Sequence, residues 1–262
     1  MPSRERSIRV EAVVLRHMDW GEADRLLWLF TRELGKVCVV AKGVRKLHSR
    51  KAGHLEPFTR VGLLLARGRE MMIVTQADAI NTFPLLREDL LQMGYASYVV
   101  ELLDRFTYEE GQNIPMYHLL ADTLTRLCTE TDSALAIHYY EVRLLDLLGF
   151  RPQLFHCTLC RNEIQAEDQY FSAAQGGVLC PTCGVNAPGV RPISLQALKY
   201  MRHYQRSSYA EAKRARPTSS HYREIEILLQ HYLTYLLERG LNTPEFLRRV
   251  KMDRLNEEQA QG

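Results

Sequence analysis

Residues 8–41 read IRVEAVVLRHMDWGEADRLLWLFTRELGKVCVVA. Ile8, Val10, Ala12 and Val14 alternate with Arg9, Glu11, Val13 and Leu15, a period of two that suits an antiparallel strand with one well-buried face. A second β-type run, 23–31, leads through Arg32, Glu33, Leu34 and Gly35 into a third, 36–41. Gly35 is placed for the left-handed position of a short hairpin loop. Two further runs, 60–66 and 71–76, meet at Arg67-Gly68-Arg69-Glu70. Five short strands in this space predict a small five-stranded barrel such as the OB-fold. An SH3-like barrel is the rival that spacing alone leaves open.

After Pro84 the hydrophobic period changes to about 3.6 residues. Leu91, Tyr95, Tyr98, Leu102 and Phe106 share one helical face. Pro115 suits the first turn of a second helix carrying Leu119, Leu120, Leu124 and Leu127. Asp132-Ser133 caps a third, through Ile137, Tyr140, Leu144 and Leu148, which stops at Gly149. Ser194 caps another, Ser219-Ser220 precedes one ended by Gly240, and Thr243-Pro244-Glu245 opens a last short helix. The end of the chain, 257–262, is expected to fray.

Between the third and fourth of these helices stands HCTLC at 156–160 and, after nineteen intervening residues, CPTCG at 180–184. Two C-x-x-C pairs at this separation match a four-thiolate zinc site, with Cys157, Cys160, Cys180 and Cys183 as ligands. Each pair can form a tight turn aiming both sulfurs at one tetrahedral ion, and Gly184 supplies the backbone freedom of the knuckle. The segment between the pairs, with Tyr170, Phe171 and Gly176-Gly177, reads as a short hairpin. Four thiolates close the coordination sphere, so a structural Zn2+, one per chain, is expected rather than a catalytic one. Two disulfides or four unligated thiols are the competing readings. The fold class is therefore α+β multidomain. The expected division is a barrel over 1–82, the first part of a helical bundle over 83–152, a zinc-binding insertion over 153–190 and the second part of the bundle over 191–262.

The chain has 262 residues, 46% of them hydrophobic, and six cysteines. That is enough to bury several cores. No apolar run approaches a membrane span, and no secretory leader is read at the start, so a cytoplasmic protein with Cys38 and Cys128 as core thiols is expected. The net charge of +3 is unevenly spread: residues 1–82 hold 15 Lys/Arg against 9 Asp/Glu. Such asymmetry points to an anionic partner for the barrel.

The densest basic stretch, 36–51, carries Lys36, Lys42, Arg45, Lys46, Arg50 and Lys51 with no acidic residue. It begins as a strand and becomes a loop around Gly43, so its charges are expected at the barrel rim, where OB-folds lay a nucleic-acid backbone. Arg16, Arg25 and Arg60 are further candidates on neighbouring strands. Trp28, Phe30 and Phe58 are candidates for stacking, though each sits in an apolar run that suits the core. A second basic stretch, 199–216, offers Lys199, Arg202, Arg206, Lys213, Arg214 and Arg216, with Tyr200, Tyr204 and Tyr209 interleaved. A solvated helix face explains it nearly as well. There is no G-x-x-x-x-G-K-[ST], G-x-S-x-G or H-E-x-x-H, so no enzyme is expected.

These residues also carry a family resemblance. VVLR at 13–16, GEADR at 21–25, LFTRELGK at 29–36, VVAKGVR at 39–45 and GHLEPF at 53–58 resemble the N-terminal domain of the bacterial RecO recombination mediators. The likeness continues through YVVEL at 98–102, LGFRP at 148–152, both C-x-x-C pairs and Gly176-Gly177. It implies an OB-fold, a helical bundle with a zinc-ribbon-like insertion, and binding of single- and double-stranded DNA in the bacterial cytoplasm, at the nucleoid. It also implies strand annealing and work with RecR and single-strand-binding protein to let RecA load at gaps. The acidic, phenylalanine-ended tail of single-strand-binding protein would then need cations beside an apolar groove, for which Arg105, Arg126 and Arg143 are the candidates. A zinc-ribbon nuclease and an RNA-binding OB protein are the competing functions.

Overall fold

The computed structural model describes residues 7–109, 111–238 and 240–261. Strands β1 (Ser7–Trp20), β2 (Asp24–Thr31), β3 (Gly35–Ala41), β4 (Arg60–Arg67) and β5 (Met72–Asn81) form a closed barrel in the order β1-β2-β3-β5-β4. Strand β5 sits between β3 and β4, pairing parallel with β3 at Val39–Met72 and Val40–Ile73. This is the Greek-key closure of an OB-fold, and it removes the SH3-like alternative. Gly35 has φ 71° at the β2–β3 turn, as its place in the sequence requires.

The barrel core gathers Val10, Ala12, Val14, Leu27, Leu29, Val39, Val61, Leu63, Leu65 and Val74. Alternation carries this core only as far as Val14. A register shift between Val14 and Arg16 against β2 then reverses which side of the strand faces in. Beyond it, Arg16, Met18 and Trp20 face outward, and β1 runs further than its hydrophobic alternation. Between β3 and β4 a long loop holds only the 3₁₀ turn Ala52–His54. Val44 and Leu55 of this loop are buried in the barrel core, which pins the loop at two points.

The chain divides into two compact units, 1–130 with 243–262, and 131–242. The first contains the barrel, α1 (Leu85–Glu88), α2 (Leu90–Phe106), α3 (Ile114–Thr129) and α9 (Thr243–Gln261). The second contains α4 (Ser133–Leu147), β6 (Gln169–Ser172), β7 (Gly177–Leu179), α5 (Pro181–Gly184), β8 (Val190–Ile193), α6 (Leu195–Arg206), α7 (Tyr209–Ala212) and α8 (Ser219–Leu237). A division at 82/83 follows a change of hydrophobic period, and 152/153 and 190/191 bracket the cysteine pairs, whereas the units follow packing. Tyr117 of α3 donates its hydroxyl to Glu11 Oε1 of β1 (2.9 Å), tying the helices to the barrel. Helix α9 runs to Gln261, longer than the short helix and frayed end expected from the sequence. It lies against α2 so closely that a Cβ on Gly94 would stand 2.7 Å from Leu247 Cδ2.

Two caps stand where the sequence puts them, while α8 is capped by Thr218 rather than preceded by Ser219-Ser220 and ends with Glu238 in the left-handed region, before Gly240. Asp132 Oδ1 accepts from Leu135 N (2.9 Å), and Ser194 Oγ accepts from Ala197 N (3.1 Å). Pro115 stands in the first turn of α3, where Asn113 is the cap. Among the described residues no helix is long and apolar enough to cross a membrane.

Candidate nucleic-acid interface and metal centre

In the second unit the two C-x-x-C pairs occupy tight turns. Arg161 N donates to Cys157 O (3.0 Å), and Cys183 and Gly184 N donate to Cys180 O (3.0 and 2.8 Å). Strands β6 and β7 form the expected hairpin, and β8 adds a third strand along β6. The hairpin brings the turns together, so that all four sulfurs lie within 4.8 Å of one another. Cys160 and Cys180 Sγ are 3.8 Å apart. A disulfide needs about 2.05 Å, so these are free thiols. Four sulfurs at ~2.3 Å from a central ion in a tetrahedron stand about 3.8 Å apart, the separation of Cys160 and Cys180 Sγ. Burial pushes the Cys157 thiol up, but the backbone amides of Cys160, Cys180 and Leu159 outweigh it and leave that thiol well below its ordinary value. Cys183 moves the other way, because it shares hydrogen bonds with the neighbouring sulfurs, Cys180 first. Without a cation only part of such a cluster ionises; a bound divalent metal removes that conflict. The four cysteines therefore fit a metal ion.

Gly184 has a different reason from backbone freedom. A Cβ there would lie 2.3 Å from Tyr170 Cδ2, so glycine lets the β6 ring press against the knuckle. Arg202 of α6 supports the same element from below, donating Nε and Nη2 to Leu154 O (2.8 and 2.6 Å).

In the first unit, the loop after β3 presents Lys42, Lys46 and Arg50 to solvent, and none pairs with a described acidic residue. Arg45 is also exposed but is held by Asp19 (3.2 Å) and by Gly21 O (3.3 Å), and its amide donates to Ala23 O (2.9 Å). It fastens the loop to the β1–β2 turn. Lys51 spends its ammonium on Val74 O (3.0 Å) and Lys42 O (3.3 Å). Thus five candidate cations sit on one pinned loop, three of them with their charge uncommitted. Exposed Arg67 and Arg69, at the β4–β5 turn, belong beside them. The sequence reading passed over both, since that turn lies far along the chain, although the parallel β3–β5 pairing brings the start of β5 next to the end of β3.

Other candidates are consumed within the fold. Lys36 is buried, its ammonium bonded to Asp104 and Thr107 of the α2 end, so it is a structural residue and not a rim cation. Arg25 pairs with Asp19 (3.2 Å) and Glu56 (2.9 Å), and Arg60 pairs with Glu11. Arg16 lies on the Trp28 ring, 3.5 Å from its centroid, and pairs with Asp104 (2.8 Å). Phe30 and Phe58 are core residues, whereas Trp28 is only half-buried. On the second stretch Lys199, Lys213, Arg214 and Arg216 are exposed. Arg206 stacks on Phe155 (3.6 Å), Arg202 is structural as described, and Tyr204 is core. The three arginines expected to receive an acidic tail are split between the units. Arg105 and Arg126 fall in the first, Arg126 near Asp122 (3.7 Å), and Arg143 in the second, on Asp146 (3.3 Å) and Gln205 O (3.0 Å).

The class is that of an OB-fold barrel protein with a helical domain and a four-cysteine metal element. Two family models match the chain, Recombination protein O N terminal over residues 6–83 and Recombination protein O C terminal over residues 87–245. The chain belongs to the recombination protein O (RecO) family. It is 42% identical to the DNA repair protein RecO of Roseiflexus sp. (strain RS-1), covering 95% of this chain and 87% of that protein. It is 37% identical to the DNA repair protein RecO of Pelotomaculum thermopropionicum, covering 92% and 93%. With the one of Desulforudis audaxviator the identity is 38%, covering 92% and 96%.

Proposed function

We propose that the chain is a DNA-binding recombination mediator, and that it acts in DNA repair, the process for which its relatives are named. The observation that carries this is the pinned loop, where Lys42, Lys46 and Arg50 stand in solvent on an OB barrel with no carboxylate partner among the described residues. Such cations bind a phosphate backbone by releasing its counterions. Cations that neutralise phosphates on two strands at once lower strand repulsion and let complementary bases meet. Annealing then needs no energy source, and the protein acts without a catalytic step. RecR and single-strand-binding protein are its proposed partners, with RecA loading as the outcome. The metal is proposed to be zinc, which would close the four-thiolate sphere and hold the β6–β7 hairpin in place.

Binding of single- and double-stranded DNA is measured as a function of salt, with annealing of complementary oligonucleotides followed in parallel. For single strands, replacing Lys42 and Lys46 by Ala should make the log–log salt slope shallower by about 1.4. An unchanged slope would move the contact elsewhere, with the exposed cations of 199–216 as the next place to look. Metal-dependent cleavage of either substrate by the purified protein would replace the mediator reading with a nuclease.

A further inference from the structure

The second unit holds a cationic pocket that neither the metal element nor the basic loop uses. Arg151, Gln153, Phe155 and His156, on the segment between α4 and the first cysteine turn, line it together with Gln205 and Arg206 at the end of α6. They surround about 370 Å³. The wall is built on fixed backbone. Gln153 N donates to Gly176 O and Val178 N donates to Gln153 O (both 2.9 Å), while Gln205 Nε2 donates to Pro152 O (2.9 Å). Arg206 lies on the Phe155 ring, 3.6 Å from its centroid, and Arg202 approaches the same ring at 4.9 Å.

We propose that this pocket binds a phosphate monoester, with Arg206 and Arg151 as its cations and Gln205 as acceptor for a ligand hydroxyl. The inference is independent of the nucleic-acid reading of the barrel. Arg202 and Arg206 stand four apart on α6, a spacing at which like charges repel. Burial, and then the Arg206 charge, lower the Arg202 guanidinium below its ordinary value. Arg202 spends its donors on Leu154 O. Arg206 has no acceptor of its own among the described residues and is held by the Phe155 ring. A guanidinium fixed by stacking presents a planar fork, which suits the oxygens of a phosphate group. Gln205 is buried, and its Oε1 has no hydrogen-bond partner among the described residues, so the lining also holds an unmet acceptor.

The choice of occupant follows from the charges around the pocket. Asp146 pairs with Arg143 (3.3 Å) and reaches Arg151 only at 3.7 Å. Glu211 accepts from Ser208 N and Oγ (both 2.8 Å). Glu163, bridged to His156 through the backbone, acts on Arg202 by its charge, but no ion pair joins it to Arg202 or Arg206. The α6 carbonyls that would repel an anion are taken as well. His203 O accepts from Ser207 N (2.9 Å), and Gln205 O accepts from Arg143 Nη1 (3.0 Å). A phosphate monoester brings about two negative charges on three strong acceptor oxygens, so one group can answer both arginines, where a carboxylate brings a single charge.

The test titrates the full-length, metal-loaded protein with thymidine 5′-monophosphate and with thymidine, followed by calorimetry. The monophosphate should bind and thymidine should not. Arg206→Gln and Arg151→Gln should each weaken binding about tenfold, Arg206→Lys should fall between, and Lys42→Ala/Lys46→Ala should bind as wild type does. Urea midpoints check folding. Should Arg206→Gln unfold for want of its stack on Phe155, Arg151→Gln decides, since its bond among the described residues is the long pair with Asp146. Oligomers ending in a 5′-phosphate or a 5′-hydroxyl, compared in the Lys42→Ala/Lys46→Ala background, separate two sources of the group. A preference for the phosphorylated oligomer that Arg206→Gln removes would assign the site to a strand end. No preference, with the monophosphate bound, would assign it to a free nucleotide, and either result supports the pocket. Equal binding of both oligomers that Arg206→Gln abolishes, without uptake of the monophosphate, would make these arginines a backbone contact and overturn the proposal. Absence of monophosphate binding by wild type, or equal binding by both arginine variants, would overturn it too and leave the barrel reading untouched.

Discussion

Lys36 Nζ lies 2.7 Å from Asp104 Oδ1 and donates to the backbone carbonyls of Asp104 (2.6 Å) and Thr107 (2.9 Å). A lysine from the third barrel strand thus sits on the last turn of α2, where carbonyls without helical partners collect partial negative charge. Arg16 binds the same carboxylate from β1. The junction between barrel and helix is electrostatic at this point, and it takes two of the cations that the sequence alone offers to DNA.

Lys36→Met should therefore act on stability. Removing a hydrogen-bonded charge from a partly buried carboxylate costs about 2 kcal/mol, and Arg16 remains to limit the loss. Urea unfolding should show a lower midpoint, while the salt slope for DNA binding should equal that of wild type. A flattened slope at unchanged stability would return Lys36 to the interface.

The same junction should respond to acid. Burial raises the Asp104 carboxyl, but the hydrogen bonds from Lys36 and Arg16 outweigh it and hold the group below its ordinary value. A carboxyl depressed in the folded state stabilises fully above its unfolded value of about 3.9, and that contribution drains as pH falls through the folded value. Glu11 is depressed likewise: burial raises it, and Tyr117 and Arg60 outweigh that. The urea midpoint of wild type should fall more steeply below about pH 4 than that of Asp104→Asn. Parallel curves would remove Asp104 from the account.

Metal removal should act on the second unit. Cys157→Ser, or prolonged chelation, should release one zinc per chain and unfold the element around β6 and β7, since such sites contribute on the order of 10 kcal/mol of apparent folding energy. Hydrogen exchange should then show lost protection over 153–193 and retained protection in the barrel strands. Protein purified without chelators and found free of zinc would contradict the assignment.

Gly184→Ala places a methyl group into the Tyr170 ring. Overpacking of this kind costs about 1–3 kcal/mol, and it should appear as faster zinc loss in a competition with a chromogenic chelator. Tyr170→Ala in the same chain should recover part of the retention, because it removes the atoms that the new methyl meets. No recovery would mean that the glycine serves its own backbone.

Local patterns carried much of this protein. The period of two in 8–15, the caps Asp132 and Ser194, the turn at Gly35 and the four cysteines all encode geometry over a few neighbouring residues, and each stands where its spacing puts it. Tertiary structure decided which charges remain available. Lys36 and Asp104 are 68 residues apart and Arg202 and Leu154 are 48 apart, so nothing local marks either cation as spent. The same holds for Trp20 and Trp28. A bulge between Val14 and Arg16 sets which side of β1 faces out, and a shift of one residue in a strand of period two turns every later side chain to the opposite face. The barrel was legible because its pattern is local; the surface it presents was not, because pairing with β2 sets that register.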